Sequence, residues 1–133
     1  MGKLIYEETI PVVSHFFYLT YVKNTGGAWS ILSGNSFLLL GIGICFLVGL
    51  VYYMIKKDTF TSFEVVSYSL LIGGVLGNFI DRMIYGGVID YLGFIFGNYY
   101  FPIFNYADIC IVVGVGLLLI DGIRSESYGN RSK

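Results

Sequence analysis

The chain has 133 residues, of which 56% are hydrophobic, 18% aromatic and 13% charged, with 8 Lys+Arg against 9 Asp+Glu. A soluble domain carries about 25% charged residues, so a water-facing globular surface is nearly excluded, as is intrinsic disorder, which needs low hydrophobicity and high net charge. A net charge of −1 gives no basic stripe for nucleic acid, and the class is an integral membrane protein of one domain.

Residues 1–35 come first, with Lys3, Glu7, Glu8, Pro11, His15 and Lys23, and without the apolar core of a signal peptide. Residues 36–55 follow with no charge at all. At about 1.5 Å per residue they cross the roughly 30 Å of a bilayer core. Tyr52, Tyr53, Lys56 and Lys57 close this span as an aromatic and basic flank. A second span is predicted at residues 62–80, with Glu64 near its start and Asp81-Arg82 at its end. Residues 81–102 form a Gly-, Tyr- and Phe-rich connection suited to the membrane interface. A third span is predicted at residues 103–120, with Asp108 near its start and Asp121 and Arg124 at its end. Cys45 and Cys110 fall inside the apolar runs and read as buried small hydrophobes. With a single histidine, His15, no zinc ligand set exists, and neither a metal nor a cofactor is called for.

The basic residues orient the spans. Placing Lys56, Lys57, Arg124, Arg131 and Lys133 in the cytoplasm leaves Lys3, Lys23 and Arg82 outside, in keeping with the positive-inside rule. Residues 1–35 and the 81–102 connection then lie on the outer face.

An ionisable residue in a span is expensive and points to function. Asp121, three residues before Arg124, reads as a solvated helix end, and Glu64 is also near a cytoplasmic end. Asp81, Asp90 and Asp108 all fall on the outer side and can converge. Gly74, Asn78 and Asp81 lie on one helical stripe, and Asn105 and Asp108 are three apart on the third span. Gly73 and Gly77 are spaced for close helix approach. Asp81, beside Arg82, reads first as a structural cap. Asp90 and Asp108 suit a general acid–base pair, because neighbouring carboxyls share one proton. A Ser–Lys dyad of Lys23 with Ser14 or Ser30 is a weaker design, as is any triad built on His15.

Four blocks carry a family resemblance. They are Asn24-Thr-Gly-Gly-Ala28-Trp-Ser30, Gly73-Gly-Val-Leu-Gly-Asn78-Phe-Ile-Asp81-Arg82, Val88-Ile-Asp90-Tyr91 and Phe101-Pro-Ile-Phe104-Asn105-Tyr-Ala107-Asp108. In this order they resemble lipoprotein signal peptidase (signal peptidase II), a bacterial intramembrane aspartic peptidase, with Gly27 and Trp29 in place of the family's commoner Ala and Phe. The resemblance implies an all-α membrane bundle with a small external β-like segment within residues 1–35. It implies that Asp90 and Asp108 are catalytic, with Asn24, Gly74, Asn78, Asp81, Arg82, Asn105 and Ala107 binding or supporting. The implied reaction removes the signal peptide from a diacylglyceryl-modified prolipoprotein, cutting before the lipid-modified cysteine. The implied partners are that substrate and membrane lipids, in the bacterial cell membrane, with the enzyme a monomer. The family has four spans and an Asp and Lys at the outer end of the first. The expectation is therefore an N-terminally shortened copy with three spans. The alternatives are an inactive homologue and a small helical binding or ion-conducting protein.

Overall fold

A computed structural model describes residues 9–28 and 31–129. Trp29, Ser30, Lys3, Glu7, Glu8, Arg131 and Lys133, on which expectations were placed, lie outside the described residues. Seven elements follow in order: β1 (Ile10–Val13), β2 (Phe17–Asn24), α1 (Ser36–Lys56), α2 (Ser62–Tyr85), β3 (Val88–Phe96), β4 (Tyr99–Tyr100) and α3 (Tyr106–Gly129).

All three helices are long and apolar enough to cross a membrane, as the three predicted spans require. Their ends differ from the expectation. Helix α2 begins with a capping box, in which the Thr61 hydroxyl accepts from the Glu64 N–H and the Glu64 carboxylate accepts from the Thr61 N–H. It does not stop at Asp81-Arg82 but runs to Tyr85, where Gly86 (φ 70°) takes the left-handed turn a helix terminus favours. Helix α3 starts at Tyr106 rather than 103 and continues to Gly129, so Asp121 sits inside the helix and not at its end. Arg124 lies over the Phe63 ring, 5.8 Å from its centroid.

The β structure is larger than expected. The strands form one antiparallel sheet in the order β1-β2-β3-β4, so half of it comes from the 81–102 connection. Its aromatic runs lack a clean period-2 pattern, which is why they read as irregular interface. Rings then stack along the sheet, as in Phe17 on Phe94 and Phe94 on Phe104.

Among the described residues, only Tyr18, Leu40, Tyr68, Leu71 and Val88 are buried hydrophobics. The helices turn most apolar side chains outward, as expected where lipid is the solvent. Without a hydrophobic drive between helices, contact depends on small residues. A Cβ on Gly74 would stand 2.6 Å from the Ala107 carbonyl oxygen, and one on Gly114 would stand 2.9 Å from Leu71 Cγ. The α2–α3 seam is therefore built on Gly74, Gly77 and Gly114. Gly73, expected to pair with Gly77, is exposed and meets nothing within 4 Å. Cys45 is likewise exposed on α1 rather than packed inside protein, while Cys110 is half-buried.

The two ends of the bundle differ in chemistry. The sheet, the start of α1, the end of α2 and the start of α3 share one end. Lys57 pairs with Glu64 at the other end, near Lys56.

Candidate active site

Asp90 is on β3 and is 4% exposed. A bulge in β2 shifts the register between Leu19 and Val22, after which Val22 faces Asp90 and Asn24 faces Val88. Asn24 and Asp90 thus become diagonal neighbours on one face of the sheet. Asn24 Nδ2 donates to Asp90 Oδ2 at 3.1 Å. The Asn24 amide cannot be turned round, since its Oδ1 accepts from the Gly26 N–H at 2.9 Å.

Asp108 reaches the same place from α3. An isolated bridge joins Leu92 and Phe104, with the Leu92 N–H donating to the Phe104 carbonyl at 2.8 Å and the Phe104 N–H returning to Leu92 at 3.1 Å. This seats Asn105, the next residue, against Asp90. Asn105 precedes the first turn of α3 and caps it. Its Oδ1 accepts from the Asp108 N–H at 3.0 Å, and its own N–H donates to Asp108 Oδ2 at 3.1 Å. Asn105 and Asp108 are therefore a helix cap and its third residue, not two positions within a span.

The backbone donor fixes the Asn105 amide, and its two Nδ2 hydrogens go to Asp90 Oδ1 (2.9 Å) and Asn78 Oδ1 (3.0 Å). That in turn points Asn78 Nδ2 at Asp108 Oδ1, 3.0 Å away. The result is a closed network in which Asn105 and Asn78 bridge the two aspartates. Every protein partner of either carboxylate, among the described residues, is an N–H donor. A proton on one carboxyl finds no protein acceptor and stays available to the other carboxylate or to a bound molecule.

Burial pushes the Asp90 carboxyl up to about 6. The nearby Asp108 charge adds to this, while the Asn24 and Asn105 donors and the Arg82 guanidinium oppose it. Asp108 occupies the first turn of α3.

The remaining sequence-derived residues frame this pair. Arg82 ties α2 to the loop after β2 by donating to the Gly26 carbonyl at 3.1 Å and to the Asn78 carbonyl at 3.3 Å. Asp81 Oδ2 accepts from the Ile89 N–H at 3.1 Å and so anchors the start of β3, one residue before Asp90. Gly74 and Ala107 are the tight contact that lets Asn78 and Asp108 meet. One contributor escaped the sequence reading. Ser36, the first residue of α1, is buried and its hydroxyl donates to the Gly86 carbonyl at 3.0 Å, holding α1 to the end of α2. A cavity of about 390 Å³ lies at the β1–β2 hairpin near His15, Phe16 and Tyr100, and neither aspartate lines it.

Comparison with known proteins follows this geometry. Residues 2–124 match the family described as signal peptidase (SPase) II. A lipoprotein signal peptidase of Bacillus pumilus is 42% identical over 123 residues, covering 90% of this chain and 79% of the relative. One from Clostridium acetobutylicum is 40% identical over 121 residues, with the same 90% and 79% coverage. A solved bacterial membrane enzyme superposes with a TM-score of 0.84 at 40% identity, covering 91% of this chain and 74% of that one.

Proposed function

The chain belongs to the signal peptidase II family, a family of membrane proteases, and on that premise we propose that it is an aspartic endopeptidase of the bacterial cell membrane. Its substrate is a diacylglyceryl-modified prolipoprotein. It cuts one peptide bond, before the lipid-modified cysteine, and releases the signal peptide. Asp90 and Asp108 are the catalytic residues. Asn24, Gly74, Asn78, Asp81, Arg82, Asn105 and Ala107 bind or support. The whole chain is one peptidase domain that works as a monomer among membrane lipids.

The observation that carries this reading is the pair of carboxylates joined through Asn105 and Asn78 at one end of the bundle. Asp90, the more buried of the two, serves as the acid of the pair and Asp108 as the base. Asp108 takes a proton from water, and the hydroxide attacks the scissile carbonyl carbon. Asp90 gives its proton to the carbonyl oxygen, forming a tetrahedral gem-diol. As the C–N bond breaks, the proton held on Asp108 passes to the leaving nitrogen and the gem-diol returns a proton to Asp90. The pair ends as it began, with one proton between two carboxyls. The basic far end, with Lys56, Lys57 and Arg124, belongs in the cytoplasm by the positive-inside rule, which puts the aspartates at the outer face.

The test is cleavage of a diacylglyceryl-modified prolipoprotein in detergent, with the products sized by mass spectrometry. The expected product starts at the lipid-modified cysteine, and its yield is unchanged by a metal chelator. A cut elsewhere, or loss of cutting on chelation, overturns the reading.

A further inference from the structure

Across its four strands the sheet carries only two charged side chains, Lys23 and Asp90, and Asp90 is buried. A sheet face standing in water alternates apolar with polar residues. Here Ile10, Val12, Val13, Phe96, Tyr99 and Tyr100 are all exposed. Exposed aliphatic and aromatic side chains with almost no charge among them belong at the level of lipid headgroups and the first carbons of the acyl chains. The sheet is joined to the spans at one end of the bundle, so this surface continues the lipid-facing surface of the helices.

Within that surface lies the cavity of about 390 Å³ at the β1–β2 hairpin. Its volume is in the range of ligand sites, about 300–1,000 Å³, and at roughly 30 Å³ per water-sized group it takes about a dozen such groups. Pro11, Val13 and Ile95 supply apolar walls, while Thr9, His15 and Tyr100 bring hydroxyl and imidazole groups that can donate hydrogen bonds. Neither Asp nor Glu is among its lining residues, so an anionic group there meets no like charge. His15 stands at the corner of the hairpin, where the Phe16 N–H donates to the Val13 carbonyl at 3.1 Å. Its φ is 58°, in the left-handed region, where glycine would sit with less strain. The corner thus keeps an imidazole at the cavity that the turn alone does not call for. Ile95 lies beyond Asp90 on β3 by roughly 16 Å at about 3.3 Å per residue, and its odd spacing from Asp90 puts it on the other face of the sheet. The cavity is therefore separate from the aspartates.

We propose that this cavity binds one glycerophospholipid of the surrounding leaflet, with its phosphate and ester oxygens at Thr9, His15 and Tyr100 and its acyl chains running out over the apolar rim. A phospholipid matches both parts of the lining, the hydrogen-bond donors and the apolar walls, and it is at hand wherever the sheet meets the bilayer. Its glycerophosphate part fills the space for about a dozen groups. Bound there, it pins the far end of the sheet to the membrane at a fixed depth.

The test is retention of dioleoyl phosphatidylglycerol by the full-length chain in detergent, titrated and read by native mass spectrometry. The expected result is one saturable lipid per chain. Val13→Trp, at the exposed rim, fills the cavity and abolishes saturable retention. Val12→Trp, exposed on the same strand but outside the cavity lining, leaves it unchanged. His15→Gly keeps the left-handed corner and removes the imidazole. It weakens phosphatidylglycerol about tenfold, as loss of a hydrogen bond to a charged group does, while dioleoylglycerol, which lacks the phosphate, is retained as before. Retention that does not saturate, or that is the same in all three variants, makes the lipid part of the general annulus and overturns the proposal. Equal losses in Val12→Trp and Val13→Trp overturn it too, since they place the effect in the strand edge and not in the cavity. So does displacement of the lipid by glycerol 3-phosphate, which would assign the cavity to a free phosphate. An unchanged affinity in His15→Gly overturns the seat given to the phosphate.

Discussion

Asn105 and Asp108 are joined in both directions, the N–H of Asn105 to the Asp108 carboxylate at 3.1 Å and the N–H of Asp108 to the Asn105 amide oxygen at 3.0 Å. The start of α3 and the placement of the aspartates are therefore one structural unit. The remaining Asn105 hydrogens reach Asp90 and Asn78, so this one side chain serves as helix cap and as bridge. The two roles separate by mutation. Asn105→Ala removes both and is expected to lower stability by about 1 kcal/mol through the lost cap and activity by about a hundredfold. Asn105→Asp keeps the cap acceptor but sets a third carboxylate against Asp90. Cleavage is then lost although the cap acceptor is kept. An active Asn105→Asp chain would remove the bridge from the mechanism.

Replacing either aspartate of the pair tests the chemistry itself. On the proposed mechanism, Asp90→Asn and Asp108→Asn each remove a proton carrier, which contributes about 10²–10⁴ in rate for general acid–base catalysis. Cleavage is expected to fall at least about a thousandfold in both, with retained helicity by circular dichroism. Asp81→Ala behaves differently. It takes the acceptor from the Ile89 N–H, at a cost of about 1–3 kcal/mol for a donor left unpaired. Its melting temperature and yield drop, while the rate per folded molecule changes only a few-fold. The reverse pattern would exchange the roles of Asp81 and Asp90.

Much of this was legible beforehand because the chain has so few charges. Once flanks and tails are set aside, Asp90 and Asp108 are hard to explain otherwise, and Asn24, Asn78 and Asn105 stand out as amides among apolar residues. The spans read directly from hydropathy. What stayed hidden depends on neighbours distant in sequence. Gly73 and Gly74 are adjacent, and only the position of α3 decides which of them is the contact. The end of α2 turns on Gly86, which in a Gly-rich stretch is one candidate of several. Strand β3 pairs with β2 across the whole of α1 and α2, and its bulged register leaves no local signal.

The raised Asp90 carboxyl gives a pH dependence whose sign can be worked out. Asp90 holds its proton below about 6 and loses it above. If Asp90 is the acid, kcat/KM falls as pH rises through the upper apparent pKa of the pair, near or above that value. Asn24 donates to the ionised form, so Asn24→Ala is expected to move this limb to higher pH. Stability follows the same linkage: the folded group binds its proton more tightly than the unfolded one, whose ordinary value is 3.8. The cost of burying the charge is fully present above about 6 and fades as pH falls toward 3.8, so this group makes the fold more stable at pH 5 than at pH 7. Rate profiles and melting curves in one detergent check both signs, and a limb that moves to lower pH in Asn24→Ala contradicts the assignment.

Adjacent glycines on α2 supply the sharpest structural contrast. A methyl on Gly74 would stand 2.6 Å from the Ala107 carbonyl oxygen and 2.7 Å from Ile111 Cγ1. Backbone cannot yield as a flexible side chain does, so Gly74→Ala must part α2 from α3. That movement stretches the 3.0 Å bond from Asn78 to Asp108, and with it the spacing of the aspartates. Overpacking of this kind costs about 1–3 kcal/mol, and a misplaced catalytic group can cost about a hundredfold in rate. Gly73→Ala meets nothing within 4 Å and replaces a poor helix former by the best, a gain of up to about 1 kcal/mol. Gly74→Ala is therefore expected to melt earlier and cleave at least about tenfold more slowly, with Gly73→Ala as stable or more so and fully active. Two variants that behave alike would mean that the α2–α3 seam does not set the distance between the aspartates.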